Sequence, residues 1–200
     1  MTPDGFKLLP AELDAQQQAE LVKTVLALSL KAPFSHYETP GGAQMSVAMT
    51  SLGAVGWVSD RKGYRYQPRH PGTGQPWPAM PESLLTLWRR VTDKAPDPDS
   101  CLLNLYRDGA RMGLHQDRDE QDLSAPVLSI SLGDTALFRI GGLTRKDATR
   151  SVRLASGDVC ILDGEARLAF HGVDRIISQS SRLIPGGGRL NLTLRRARSR

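Results

Sequence analysis

The segment from Arg189 to Arg195 alternates strictly between polar residues and leucine, and this pattern constrains the fold more than any other. Successive side chains on a strand point to opposite faces, so the segment is expected to separate an apolar layer from a polar one. Two arginines on the inner face of a sheet would be costly without anions to pair with. Their Cα atoms would lie ~20 Å apart at ~3.3 Å per residue, and the long side chains could converge to about the length of a five-carbon diacid. The planar guanidinium binds carboxylates bidentately, so the strand predicts an anchor for an oxo-acid, although a plain amphipathic strand is the simpler alternative.

The rest of the chain predicts a mainly β (α+β) protein. Two helices are expected, Asp14 to Lys31 with Asp14 and Gln17 as a capping box, and Pro81 to Thr92. Many short strands follow, which favours a sandwich or jelly roll. The predicted strands are Cys101 to Tyr106 (before a turn at Asp108-Gly109), Val127 to Leu132, Ala136 to Ile140, Ser151 to Ala155, Val159 to Leu162 and Arg189 to Arg195. Residues 41–77, rich in Gly, Pro and aromatics, are expected to form hairpins and loops over one mouth of the sheet.

Charge and cysteine content indicate the partners and the compartment. The chain has 26 Lys and Arg against 21 Asp and Glu, which favours nucleic acid as a partner, although a modestly basic solvated surface is an equal alternative. Cys101 and Cys160 lie in apolar runs, so buried free thiols in a reducing compartment are expected. The N-terminal segment lacks the apolar stretch of a signal peptide, and no run could span a bilayer. A cytoplasmic protein that does not interact with membranes is therefore predicted.

Three residues form a candidate metal site. His115 and Asp117 are two positions apart, so they would point to the same side of one strand, and His171 on another strand could complete a triangle. Two imidazoles and one carboxylate are the ligand set of non-haem Fe(II) oxygenases. Zinc could use the same ligands, and a surface His–Asp pair needs no metal, so the triad alone does not choose iron.

From Pro40 to Arg196 the chain resembles the AlkB family of Fe(II)- and 2-oxoglutarate-dependent nucleic-acid dealkylases. Its order of motifs carries the resemblance: Gly41-Gly42, Met45-Ser-Val-Ala-Met-Thr50, Gly56-Trp57, Gly63-Tyr64-x-Tyr66, Pro76-Trp-Pro-Ala-Met-Pro81, Asn104-x-Tyr106, Leu114-His-Gln-Asp-x-Asp-Glu120, Ser129-x-Ser-Leu-Gly133, Gly141-Gly-Leu143, His171-Gly172 and Arg189-x-Asn-Leu-Thr-x-Arg195. The first 35 residues carry little of it, and any role of a longer N-terminal arm is expected to be absent or altered.

The resemblance implies a double-stranded β-helix, a jelly roll, with a nucleotide-recognition lid. It implies one domain over 1–200, with the N-terminal helices and the lid in 1–100 and the jelly-roll core in 101–200. Iron would be held by His115, Asp117 and His171. The distal carboxylate of 2-oxoglutarate would be held by Asn104, Tyr106, Arg189 and Asn191, with Arg195 at the metal-proximal end and among the catalytic residues. Substrate would be contacted by Met49, Trp57, Tyr64, Asp119 and Arg145.

The implied reaction is the oxidative demethylation of 1-methyladenine and 3-methylcytosine, with O2 consumed and formaldehyde, succinate and CO2 released. The implied partner is alkylated DNA, single-stranded by preference, with RNA as an alternative and a monomeric enzyme as the expected state. A related hydroxylase that acts on RNA is an alternative. One that acts on a protein or a small molecule would share the triad and the arginine anchor but would not need Trp57, Tyr64 and Asp119 in a lid. A metal-binding jelly roll that only docks on nucleic acid would not turn over 2-oxoglutarate.

Overall fold

The part of the chain that the structure describes contains twelve strands, two α-helices and one 3-10 helix. The computed structural model describes residues 3–93, 95–107 and 109–199, so Asp108 of the expected turn lies outside it. The elements are β1 (Phe6–Leu9), α1 (Ala15–Ser29), β2 (Ala48–Gly53), β3 (Gly56–Asp60), β4 (Gly63–Gln67), α2 (Glu82–Val91), β5 (Ser100–Tyr106), β6 (Met112–His115), β7 (Val127–Gly133), β8 (Thr135–Ile140), β9 (Arg150–Leu154), β10 (Val159–Leu162), a 3-10 helix (Gly164–Leu168), β11 (His171–Ile177) and β12 (Arg189–Arg195).

The strands form the predicted jelly roll. A six-stranded major sheet has the order β1-β10-β7-β12-β5-β2, and a four-stranded minor sheet has the order β6-β11-β8-β9. Every pairing in both sheets is antiparallel. β12 lies in the middle of the major sheet, with β5 and β7 on either side, and all seven of its residues are buried. The fold is therefore the expected double-stranded β-helix.

Two apolar layers hold these elements together. Inner-face residues such as Leu102, Val127 and Phe138 form the layer between the two sheets. The second layer lies on the outer face of the major sheet, where Leu190, Leu192 and Leu194 pack with residues of both helices. Because the leucines of β12 all point to this outer layer, its polar residues are directed into the interior of the jelly roll.

The helices cover the major sheet and begin where the sequence predicts. Asp14 accepts the backbone N–H of Gln17 while the Gln17 side chain accepts the N–H of Asp14, which is the expected capping box. The helix ends at Ser29, two residues before the predicted Lys31. Pro81 and Thr92 flank α2 as its N-cap and C-cap.

The first hundred residues contribute to the major sheet as well as to the helices and the lid. β1 pairs with β10 at one edge of the major sheet, and β2 pairs with β5 at the other. The major sheet therefore contains strands that precede residue 100 and strands that follow it, because antiparallel pairing can join segments that are distant in sequence. The β3–β4 hairpin lies outside both sheets, and it agrees with the hairpins expected in 41–77.

Both cysteines are buried free thiols, as predicted. Burial raises the pKa of Cys101 to about 12 and that of Cys160 to about 11. Neither α-helix in the described part of the chain combines the length and the apolar character that a bilayer span requires.

Two leucines provide a matched test of the outer apolar layer. Leu84 in α2 is 1% exposed, whereas Leu30 at the end of α1 is 83% exposed. Replacing Leu84 by Ala should lower the free energy of unfolding by about 2–5 kcal/mol, because the substitution removes apolar contacts and leaves a cavity. Leu30→Ala should change it by less than about 0.5 kcal/mol. Urea titration of both variants measures the difference, and equal losses would contradict this placement of α2.

Candidate active site

The three candidate metal ligands meet in the interior of the jelly roll. His115 ends β6, His171 begins β11, and these two residues are paired across the minor sheet. Asp117 lies two residues beyond the end of β6, so the chain rather than one continuous strand brings it beside His115. The Asp117 carboxylate lies 3.7 Å from His115 Nε2 and 3.8 Å from His171 Nε2. One ligand atom from each residue falls within 4.8 Å of the others, which is the spacing of a metal site.

Backbone carbonyls set the orientation of both imidazoles. Nδ1 of His115 lies 2.9 Å from the carbonyl of Gly113, and Nδ1 of His171 lies 2.9 Å from the carbonyl of Ala169. A carbonyl can only accept, so Nδ1 carries the proton in each ring and Nε2 presents a lone pair to the centre. Such hydrogen bonds behind a metal ligand fix its tautomer and direction. The two rings are therefore oriented for metal binding by the chain itself.

The protonation states also suit a cation. Burial and the neighbouring His115 lower the pKa of His171 to about 4, so its ring is neutral at pH 7. Burial alone would raise the pKa of Asp117, but the charge of Arg195 and the two imidazoles outweigh it and hold the pKa below its usual range. His171 thus presents a neutral nitrogen beside the charged Asp117 carboxylate, which is the form in which these groups bind metal.

Arg195 forms a buried bidentate pair with Asp117. Its Nε donates to Oδ2 at 3.1 Å and its Nη2 donates to Oδ1 at 2.9 Å. Both side chains are only 7% exposed. The pair fixes the carboxylate beside the two imidazoles, and it places Arg195 at the metal end of β12.

Arg189 lies at the other end of β12 and has no carboxylate partner among the described residues. Its side chain is fully buried, where Nη2 donates to the Ser131 hydroxyl at 3.0 Å and the guanidinium lies 5.3 Å from the centre of the Tyr106 ring. Nε and Nη1 have no hydrogen-bond partner in the described part of the chain. Unpaired buried donors on a cation are costly, so they indicate an anion that binds here.

Polar side chains line the space between the two arginines. Asn104 donates to Asn191 Oδ1 at 3.3 Å, and Thr193 donates to the same oxygen at 3.0 Å. The amide of Asn191 donates to Ser129 Oγ at 2.7 Å, which holds its orientation. Oδ1 of Asn104 is buried and has no donor among the described residues. The structure therefore brings together all the residues that were predicted to bind the oxo-acid.

A cavity of about 640 Å³ joins these groups to the outside. It contains the three candidate ligands, both arginines of β12 and all five predicted substrate residues, Met49, Trp57, Tyr64, Asp119 and Arg145. A second cavity, of about 680 Å³, lies beneath the loop that precedes β12 and contains none of the three ligands. The cavity of about 640 Å³ is therefore the candidate active site.

The hairpin residues form an aromatic platform at the mouth of this cavity. Trp57 and Tyr64 stack with centroids 5.5 Å apart and an interplanar angle of 17°. Nε1 of Trp57 donates to Asp119 Oδ2 at 2.8 Å, so the hairpin is tied to the segment that follows the metal ligands. Tyr64 covers one side of the Trp57 ring, so the two rings form this platform together. Met49 is buried in the cavity, and Arg145 lies over the Phe170 ring at 5.2 Å.

A buried ion network behind the site was not predicted from the sequence. Arg167 of the 3-10 helix donates to Glu120 Oε2 at 3.1 Å and to the carbonyl of Asp117 at 2.6 Å. Tyr66 of β4 donates to the other Glu120 oxygen at 2.5 Å, and Arg195 lies 3.6 Å from that oxygen. Glu120 appeared in the sequence only as part of a motif, and no periodicity indicates that Arg167, 47 residues away, would meet it.

Comparisons with known proteins agree with this geometry. The model of the 2OG-Fe(II) oxygenase superfamily matches residues 5–195. The chain is 67% identical over 195 residues to an alpha-ketoglutarate-dependent dioxygenase AlkB homolog of Caulobacter vibrioides, covering 98% of this chain and 89% of that protein. It is 47% identical over 158 residues to the alpha-ketoglutarate-dependent dioxygenase AlkB of Escherichia coli, covering 77% of this chain and 73% of that protein.

A solved structure, that of OsALKBH1, shares the fold with a TM-score of 0.84 and 30% identity, over 98% of each chain. The chain therefore belongs to the AlkB family of the 2OG-Fe(II) oxygenase superfamily. It is an Fe(II)- and 2-oxoglutarate-dependent dioxygenase, and its cofactors are Fe(II), 2-oxoglutarate and O2.

The metal triad can be tested by measuring iron directly. His171→Ala removes one of the three ligands, so Fe(II) affinity should fall by more than about 100-fold, beyond what the loss of a group behind a ligand costs. Turnover of 2-oxoglutarate should fall with it, while the melting temperature of the metal-free protein stays close to that of the wild type. Anaerobic equilibrium dialysis measures the affinity, and His36→Ala, at an exposed histidine outside the triad, is the control. Wild-type iron binding by the His171 variant would exclude this residue as a ligand.

Proposed function

We propose that this dioxygenase removes methyl groups from 1-methyladenine and 3-methylcytosine in nucleic acid, with single-stranded DNA as the preferred substrate. The observation that carries the proposal is that two stacked aromatic rings and a carboxylate line the same cavity as the metal ligands. Methylation at those ring nitrogens leaves a positive charge on the base. Such a base suits a π surface and a carboxylate better than a neutral base does. It also pairs poorly, so it leaves the base stack at lower cost.

In this proposal His115, Asp117 and His171 hold Fe(II), and the polar face of β12 holds 2-oxoglutarate. The fit rests on the lone pairs that both Nε2 atoms direct to one point and on the unpaired buried donors of Arg189. Arg189, Tyr106, Asn104 and Asn191, which line the same cavity, would hold the distal carboxylate, and Arg195 keeps Asp117 in place at the metal end. When bound, iron and 2-oxoglutarate supply the oxidation of a methyl C–H bond by O2, with succinate and CO2 as co-products.

The chain positions the substrate and excludes water from the reacting carbon. The aromatic pair receives the base, Met49 contributes apolar surface inside the cavity, and Arg145 on the β8–β9 loop contacts a phosphate. Asp119 uses Oδ2 to hold Trp57, which leaves Oδ1 to accept from the exocyclic amine of the base. Hydroxylation of the N-methyl group gives an unstable product that releases formaldehyde and restores the base.

The decisive experiment measures formaldehyde from a methylated single-stranded oligonucleotide with Fe(II), 2-oxoglutarate and ascorbate, each omitted in turn. We expect release only with the complete mixture. Turnover of 2-oxoglutarate with no formaldehyde from any methylated DNA or RNA would favour a protein or a small molecule as the substrate. If 2-oxoglutarate were not consumed at all under conditions in which iron binds, the catalytic assignment would fail.

Arg189 is predicted to determine affinity for 2-oxoglutarate. Arg189→Ala should raise the KM for 2-oxoglutarate by well over tenfold, because the loss of a buried charged partner costs about 2–5 kcal/mol. The KM for the oligonucleotide should change little. Arg189→Lys keeps the charge but loses the planar fork, so its KM should fall between the two. Arg90→Ala, at an exposed arginine of α2, is the control, and an unchanged KM in Arg189→Ala would remove this residue from the site.

Asp119 is predicted to select for charge on the base. Asp119→Ala should lose more activity on 3-methylcytosine, which is cationic, than on 3-methylthymine, which is neutral. The comparison uses kcat/KM on matched oligonucleotides that differ only in the lesion. Asp122→Ala is the control, since Asp122 belongs to the same acidic stretch and hydrogen-bonds to Ser124. Equal losses on both lesions would show that recognition of charge does not depend on Asp119.

A further inference from the structure

Most of the excess positive charge of the chain lies on one part of the jelly roll. β8, β9, the loop between them and β11 contain six Lys or Arg against two Asp, a local excess of four in a chain whose whole excess is five. These segments make up about one seventh of the chain. The positive charge is therefore concentrated rather than spread over the surface, which is the pattern of a site for a polyanion.

The cations in these segments are exposed and mostly unpaired. Exposed side chains belong to Arg145, Lys146, Arg150, Arg153 and Arg175, which we call the minor-sheet basic face. Among the described residues none of these five forms a salt bridge, whereas many arginines elsewhere in the chain do. Both nearby acids are already engaged, since Asp147 accepts from Thr144 and Asp174 lies 3.9 Å from Arg139. Ion pairs within the described part of the chain therefore do not neutralise the positive charge of this face.

Two of these arginines stand on the outside of the minor sheet. Arg153 and Arg175 both pair with Leu137 of β8, one from each side. Ala136 and Phe138 are buried in the layer between the sheets, so Leu137 and its two partners point outwards. Neighbouring strands lie about 4.8 Å apart, which places the two arginine Cα atoms about 10 Å apart across the sheet. Both helices pack on the major sheet, so neither covers this face.

The minor-sheet basic face is continuous with the mouth of the active-site cavity. Arg145 and Phe170 line the cavity, and the loop that carries Arg145 leads directly into Arg150 at the start of β9. The loop is held in place, because Thr144 and Asp147 hydrogen-bond to each other and the backbones of Gly141 and Phe170 are joined. From Arg150 to Arg153 the strand rises ~10 Å at ~3.3 Å per residue, and because three residues separate them Arg150 is exposed at the end of the inner side while Arg153 points outwards. Cations thus extend from the mouth onto the outer face.

We propose that the minor-sheet basic face binds the sugar–phosphate backbone of the nucleic-acid strand that carries the lesion, beyond the nucleotide held in the cavity. This inference rests on the proposed function and adds a site for the strand outside the active-site cavity. The contacts are made to phosphates, so they add affinity without reading sequence. A long strand reaches Arg153 and Arg175, whereas a methylated mononucleotide does not.

The test removes two charges from this face and two from the opposite side of the molecule. Arg153→Gln combined with Arg175→Gln should raise the Kd for a long single-stranded oligonucleotide roughly fivefold. The slope of log Kd against log salt should fall by about 1.4, since each phosphate contact on a single strand adds about 0.7. Lys23→Gln combined with Lys31→Gln, on the side of α1, makes the same change in net charge and should alter neither quantity. Fluorescence anisotropy of the Fe(II)–2-oxoglutarate enzyme without oxygen measures both.

Turnover separates this proposal from the proposed function. The arginine double variant should match the wild type in kcat/KM on a methylated mononucleotide and lose activity only on the long strand. Replacing both arginines by lysine should restore the salt slope, because a phosphate contact needs charge rather than the planar fork. Identical salt slopes for the arginine and lysine-site double variants would overturn the proposal. Absence of wild-type demethylation on either substrate would instead reject the proposed function, and the binding measurements would still decide the role of this face.

Discussion

The buried pair between Arg195 and Asp117 is the interaction on which the rest of the site depends. Asp117 carries a charge in an interior that disfavours it, and the positive charge of Arg195 makes that charge tolerable. β12 lies in the middle of the major sheet, and this position brings Arg195 into the interior beside Asp117. Removal of either partner would leave an uncompensated buried charge, which commonly costs several kcal/mol. The position of β12 therefore determines both the order of the sheet and the place of the metal ligand Asp117.

The two arginines of β12 are in opposite electrostatic conditions, and in the proposed function this difference sets the orientation of 2-oxoglutarate. Arg195 is paired with a carboxylate of the chain, whereas Arg189 is buried with two unpaired donors. Burial of the unpaired Arg189 donors therefore costs free energy in the ligand-free protein, and binding of a dicarboxylate can relieve that cost. In the proposed function, a ligand with one carboxylate at Arg189 would direct its other end to the metal, so the strand would define the direction of binding as well as the affinity.

Much of this arrangement could be predicted from the sequence where the pattern was regular. The bounds of β10 and β12 agree with the prediction, and both helices begin at the expected caps, since strict alternation and capping chemistry are local properties. β2 could not be recognised as a strand of the major sheet, because Met49 and Leu52 are buried on opposite faces and the segment shows no clear alternation. The residues of the triad were predictable, yet their tautomers were not. Those depend on the carbonyls of Gly113 and Ala169, whose positions only the folded backbone defines.

The burial of Cys160 bears on how long such an enzyme survives its own chemistry. This thiol lines the same cavity as the metal ligands, within an enzyme that activates dioxygen. Oxidation of cysteine begins at the thiolate, and burial holds the pKa of Cys160 at about 11. At neutral pH the thiol form, which is not susceptible, therefore predominates. Burial thus keeps the sulfur of Cys160 mainly as the unreactive thiol inside the cavity where dioxygen is activated, and oxidation of this residue should be slow compared with turnover.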